Sequence, residues 1–278
     1  MPLGISRHII TFNTIGSWSP GDINENHFWI DASDTTSYSL SGSNLSSVTD
    51  KSGTFTITVD GTPTRVSSGL NSLNVWDFNG SESLITSTEE NVTDNNGNHW
   101  AIGVFLADTI NDTQDSFYSF ENNSSGSAKR DYAVSSGNAS AFNGELDLDG
   151  LSSNRISSTI GNLQAFDSGI SLDAFHIVGT IFNKTGNQIS TRVDGSNAFT
   201  PVNDYDNAIN QAQDVRIMRN RANERMDGRV AEFLVVGYLP GTGGTDITEF
   251  EKAEGYLAHK WGLTANLPVS HPYKSSAP

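Results

Sequence analysis

Apolar and polar residues alternate with a period of two through most of the chain. In NHFWIDASD, Phe28 and Ile30 share one face and Trp29 takes the other, and TFTITVDG alternates through Phe55, Ile57 and Val59 into an Asp-Gly turn. Both are half-buried strand patterns, because successive side chains of a strand point to opposite faces. NVWDFNG, HWAIGVFLA, DSFYSFEN and RDYAVSS continue the series between clusters of Gly, Asn, Asp and Ser. The run Trp100 to Ala107 is apolar on both faces and predicts a central strand.

From about 121 to 171 the chain is rich in Ser, Gly and Asn and poorly patterned, which predicts long loops and short strands. Regularity returns in AFHIVGTIFN, with Phe175, Ile177 and Ile181 set against Val178 and Phe182, then in QISTRVDG, DVRIMRN and GRVAEFLVVGY. Closely spaced strands joined by turn residues predict an all-β, two-sheet antiparallel sandwich, not alternating βα units.

One segment breaks the period. In TDITEFEKAEGYLAHKWG, Phe250, Ala253, Leu257 and Trp261 recur at spacings of three and four, the stripe of an amphipathic helix over about 246–262. Asp246 or Thr248 is the expected N-cap, with Glu249 or Glu251 completing a capping box, and Gly262 stands where a helix ends in a left-handed residue. Tyr256 and Trp261 have large areas to bury, and truncating either when packed costs about 3–5 kcal/mol.

Composition narrows the function classes. At 278 residues, 35% hydrophobic and 9% aromatic, the chain can fill one sandwich core, so one domain at 18–278 with an N-terminal arm at 1–17 is expected. No cysteine is present, which removes disulfides, thiolate chemistry and Cys-based zinc sites. The start, MPLGISRHIITFNTIGSW, carries too short an apolar run for a signal h-region, and no stretch reaches the length of a membrane span. A net charge of −16 without a basic cluster argues against nucleic acid as a partner.

The opening FWIDASDTTSYSLSGSNLSSVTDKSG, the pair HIVGTIFNKTGNQISTRVDG, the strand GRVAEFLVVGY and the closing FEKAEGYLAHKWGLTANLPVSHPYK together resemble the concanavalin A-like lectin/glucanase superfamily, over about residues 18 to 274. They are most similar to its laminin-G-like branch, which occurs in virion proteins of marine bacteriophages and in bacterial surface proteins. The resemblance implies a jelly roll with the C-terminal helix packed on it. It implies a non-enzymatic virion part, a capsid decoration or tail-fibre module assembled in the host cytoplasm, oligomeric and attached to other virion proteins through its arm. A carbohydrate-binding module at the cell surface is the alternative.

Candidate chemistry is sparse. The superfamily's retaining hydrolases place Glu, Asp and Glu at alternate positions of one strand, and GELDLDG sets Glu145, Asp147 and Asp149 in that pattern. Asp149 is one methylene shorter than the second Glu, which misplaces a proton donor, so hydrolysis through Glu145 is the second alternative and catalysis is not expected. No nucleophile elbow or phosphate loop occurs. Calcium ligands are conceivable at Asp31 and Asp34, at Asp94, Asn95 and Asn96, and at Asp204 and Asp206, where turn chemistry is an equal explanation. His259 and His271 lack a carboxylate motif and read as structural. For a sugar, aromatic faces and hydrogen-bonding groups on a concave face are needed, and Tyr118, Arg130 and Tyr132 are the candidates, subject to strand register.

Overall fold

The computed structural model describes residues 18–94, 96–109, 115–121, 130–136, 150–156, 161–167, 171–186, 188–197, 212–219, 225–238, 240–241 and 246–278. Residues 1–17, expected to form an arm, Glu145 with its neighbouring acids, and Asn95, Asp204 and Asp206 lie outside the described residues. A short 3-10 turn at Pro20–Asp22 precedes β1 (Asn26–Asp31), β2 (Tyr38–Ser41), β3 (Asn44–Val48), β4 (Ile57–Asp60), β5 (Thr64–Leu70) and β6 (Leu73–Asn79). Then come β7 (Ser83–Thr86), β8 (His99–Thr109), β9 (Asp115–Glu121), β10 (Arg130–Ser136), β11 (Gly150–Ile156) and β12 (Gly161–Asp167). The chain closes with β13 (His176–Asn183), β14 (Gln188–Val193), β15 (Ser196–Asn197), β16 (Asp214–Ile217), β17 (Asp227–Val236) and α1 (Thr248–Trp261).

Among the described residues the strands form two antiparallel sheets. One runs β15-β14-β13-β8-β17-β6-β5-β3-β2, with β1 also paired to β17; the other runs β12-β11-β10-β9-β16-β7-β4. RDYAVSS forms β10 as its alternation predicts, and the poorly patterned stretch after it contributes two further seven-residue strands, β11 and β12. GLSSNRI and GNLQAFD carry little apolar alternation, so the backbone pairing of β11 with β12 has no clear sequence signal.

The period-two pattern explains where the core lies. Phe28 and Ile30 of β1, Phe105 of β8, Val178 and Phe182 of β13, and Phe233 and Val235 of β17 join Tyr118, Phe120, Val215 and Ile217 in the core between the sheets. The opposite face of the larger sheet carries Trp100, Ile102, Val104, Ile177, Ile181, Leu234 and Val236, and these pack against Phe250, Ala253, Leu257 and Trp261 of α1. Trp100 to Ala107 is apolar on both faces because β8 has the sandwich core on one side and the helix on the other. Gly103 on β8 admits no side chain: a Cβ there would lie 2.6 Å from the Glu232 carbonyl oxygen and 2.6 Å from the Phe105 ring.

α1 begins differently from the expected capping box. Ile247 is the N-cap and makes no side-chain cap bond; Asp246 Oδ1 instead accepts the Thr248 amide at 3.0 Å and hydroxyl at 2.6 Å, an Asx turn ahead of the helix. The other end follows the sequence. Gly262 is left-handed at φ 74°, and Asn71 Nδ2 donates to the Lys260 carbonyl at 2.8 Å.

One irregularity matters beyond the fold. The register of β17 against β8 shifts between Val230 and Glu232, so Ala231 is an extra residue. This bulge lies where the other edge of β17 passes from β6, paired at 227–230, to β1, paired from Glu232 onward. Val230 faces the inter-sheet core and Ala231 the helix layer; strict alternation would then send Glu232 into the core. The inserted residue turns it under α1 instead.

Candidate functional site

The sequence-derived sugar site does not assemble as expected. Tyr118 is fully buried in the core between the sheets, tilted against Phe233 at 4.7 Å and near Phe105 and Phe120. This corrects its assignment to an exposed face: the register of β9 with β16 sets Tyr118 opposite Ile217, a core residue. Arg130 and Tyr132 lie on β10, opposite Glu121 and Phe120 of β9, and their side chains lie outside the described residues.

The aspartates among the calcium candidates within the described residues are already engaged. Asp31 Oδ1 accepts from the Ser33 amide and hydroxyl, and Oδ2 faces Lys51 and Lys260. Asp34 is bonded by Thr36 and by Lys51 at 2.7 Å, which holds its carboxyl down at about 2. Ammonium groups thus stand where a cation would need open oxygens. Asp94 receives the amides of Asn96 and Asn98 and the Asn98 side chain, a closed turn. No group of three or more His, Cys, Asp or Glu side chains that could hold a metal occurs among the described residues.

His271 and His259 do separate structural work. His271 Nε2 lies 3.0 Å from Glu254 Oε2, and its Nδ1 accepts the Tyr273 amide. His259 Nε2 lies 2.9 Å from the Tyr273 carbonyl. Together they fasten the HPY tail to α1.

An open groove of about 480 Å³ does exist, at the start of α1. Tyr238, Pro240 and Gly241 bring the chain out of β17, and Asp246, Thr248, Glu249 and Lys252 supply the helical side. The Glu249 amide donates to the Pro240 carbonyl at 3.1 Å, tying the two sides. The half-buried Tyr238 donates its hydroxyl to Glu249 Oε2 at 2.9 Å, while Glu249 Oε1 lies 3.8 Å from Lys252 Nζ. Burial and the Glu249 carboxylate both push the Tyr238 hydroxyl well above its ordinary value, so it stays a neutral donor. An aromatic ring beside a fixed carboxylate and an ammonium is a combination suited to a polyhydroxylated ligand: the ring takes the C–H face, and the charged groups bond hydroxyls. Tyr238 closes the apolar run EFLVVGY, and Glu249 and Lys252 fall on the polar face of α1. The spacing of three between the latter was legible, but not its meeting with Tyr238.

A second titratable cluster lies beneath α1. Glu232 Oε1 accepts the Trp29 indole N–H at 2.8 Å and the Tyr256 hydroxyl at 3.1 Å; Oε2 accepts the Trp261 indole at 2.8 Å and Lys260 Nζ at 2.7 Å. Burial and the nearby Asp31 charge raise the Glu232 carboxyl above its ordinary value. Burial also works to raise Asp31, but the charge and hydrogen bond of Lys260, with Ser33 and Lys51, outweigh it and hold that carboxyl low.

No protein-family model and no curated protein matches the chain. Solved structures share its fold. Domain 4 of AbnA, a GH43 extracellular arabinanase from Geobacillus stearothermophilus, solved with arabinotriose, is 9% identical at a TM-score of 0.54, covering 77% of this chain and 92% of that one. The botulinum neurotoxin type G receptor-binding domain is 12% identical at 0.52, covering 83% and 51%. The Trypanosoma rangeli sialidase in complex with sialic acid is 11% identical at 0.51, covering 84% and 33%. This chain therefore spans about half of the neurotoxin domain and a third of the sialidase. At these identities the likeness establishes a two-sheet β-sandwich of the kind these proteins contain.

Proposed function

We propose that the chain is a carbohydrate-binding β-sandwich module that acts without catalysis. The observation that carries this reading is the groove in which Tyr238 is held beside Glu249 and Lys252. A neutral phenol fixed by a carboxylate, next to an ammonium, binds sugar hydroxyls and a pyranose or furanose face without supplying a poised acid and base. The fold shared with the arabinotriose-bound domain supports the same reading.

A glycan array that includes arabino-oligosaccharides tests it. Binding lost on Tyr238→Ala and weakened on Glu249→Gln is expected. Tyr132→Ala and Arg130→Ala test the second patch, on β10; loss there with Tyr238→Ala unaffected would move the site. Release of reducing ends from a polysaccharide panel, abolished by Glu145→Gln, would overturn the non-catalytic part.

The resemblance of the closing stretch to phage virion proteins supports a particle as the module's setting, carried in many copies and attached by residues 1–17. Quantitative mass spectrometry of purified particles tests this: copy number near that of the capsid protein indicates decoration, a few to dozens a tail appendage, and absence favours the cell-surface setting.

A further inference from the structure

Three side chains from distant parts of the chain meet under α1. Asp31 ends β1, Glu232 follows the bulge in β17, and Lys260 lies in the last turn of α1. Lys260 Nζ is 2.8 Å from Asp31 Oδ2 and 2.7 Å from Glu232 Oε2. Asp31 is 4% exposed and Glu232 fully buried, under the rings of Trp29, Tyr256 and Trp261. The half-buried Lys260 amine is thus held against a buried carboxyl group beside aromatic rings, the juxtaposition that amide condensation needs. Fixed proximity replaces a bimolecular encounter, and the short contact to Asp31 Oδ2 gives the proton a direct path from nitrogen to oxygen before attack.

We propose that Lys260 Nζ and Asp31 Cγ condense into an intramolecular isopeptide bond, with Glu232 as the proton shuttle. A proton passes from the ammonium to the Asp31 carboxylate, giving amine and acid. The nitrogen lone pair attacks Cγ and the C–N bond forms. Glu232 protonates the departing oxygen, the C–O bond breaks, and the Glu232 carboxylate takes the surplus proton from nitrogen. One water leaves and nothing is oxidised or reduced.

The geometry assigns the roles. Both oxygens of Glu232 are pinned by indole N–H groups, which keeps its carboxyl carbon from following an attacking amine, and its raised protonation equilibrium suits a shuttle. Lys51 reaches the same Asp31 oxygen only at 3.3 Å, while it is held by Asp34 at 2.7 Å and lies 4.0 Å over the Trp29 ring. Lys260 is therefore the nucleophile. The bond would join β1 to the final helix, so that most of the chain is enclosed in one covalent loop. This inference does not depend on sugar binding.

The test is the intact mass of the purified full chain under denaturing conditions. The expected value is one water below the sequence mass, with a branched proteolytic peptide containing Asp31 and Lys260. Loss of water also arises by succinimide formation where Asp precedes Gly, as at Asp60, Asp194 and Asp227, and the branched peptide distinguishes the two. Lys260→Arg, which keeps a cation between the carboxylates, should restore the full mass, and Glu232→Gln should leave folded chains largely unlinked. A wild-type chain at its full sequence mass overturns the proposal without reference to any variant, as does a digest of the wild type that holds no branched peptide of Asp31 and Lys260.

Discussion

Arg192 on β14 grips Glu254 on α1 through two parallel bonds, Nε to Oε1 at 2.8 Å and Nη2 to Oε2 at 3.0 Å. The side chains are 8% and 1% exposed, and the remaining guanidinium donors reach the Gly195 carbonyl and Asn197. His271 donates to the same carboxylate through Nε2, as the acceptor role of its Nδ1 requires. One buried carboxylate thus unites the sheet, the helix and the C-terminal tail. Burial disfavours the Arg192 cation, but Glu254 more than offsets it and raises the guanidinium above its ordinary value.

Removing one partner should be costlier than removing both. Glu254→Ala leaves Arg192 buried without a counter-ion and is expected to lose about 3–5 kcal/mol. The pair Arg192→Met with Glu254→Leu should lose less. Denaturant unfolding of the three proteins checks the order.

His99 makes the fold acid-sensitive. Its ring stacks on Phe182 at 4.1 Å and 5° and meets Phe120 edge-on, and burial pushes its value from 6.5 down to about 3. A depressed folded value contributes stability that is complete above 6.5 and is lost as pH falls toward 3, by up to about 1.4 kcal/mol per pH unit. His99→Phe, which keeps the stack, should flatten the stability profile in that window. An unchanged slope would show that other groups control it.

Gly103→Ala should destabilise by about 1–3 kcal/mol, because the new Cβ meets a backbone oxygen of β17 and the Phe105 ring, neither of which can yield without shifting the sheet. Thermal unfolding measures the loss.

Much of this architecture was legible in the residue pattern. The two faces of β13 appear in the alternation of Ile177 and Ile181 against Val178 and Phe182, and the helix layer appears in the stripe from Phe250 to Trp261. Register was not legible. Nothing local distinguishes Tyr118 facing the core from Tyr118 facing solvent, since its partner Ile217 lies far along the chain. Nor does GRVAEFLVV announce that Ala231 is the extra residue of a bulge, and without that bulge Glu232 would be an unpaired acid in an apolar core. Asp31, Glu232 and Lys260 meet only through long-range pairing, so their chemistry has no contiguous motif.

The burial of Tyr118 separates stability from binding. Tyr118→Ala should cost about 3–5 kcal/mol and leave sugar affinity unchanged wherever the protein remains folded, because the ring lies between the sheets. Parallel unfolding and binding curves on the same preparation check both halves.

The most direct measurement is a calorimetric titration of the best array ligand into the wild-type chain and into Tyr238→Ala. The groove reading predicts saturable binding that Tyr238→Ala weakens at least about tenfold, equivalent to about 1.4 kcal/mol, at a temperature where both proteins are folded. Equal affinities for the two proteins would contradict it and remove the site from the start of α1.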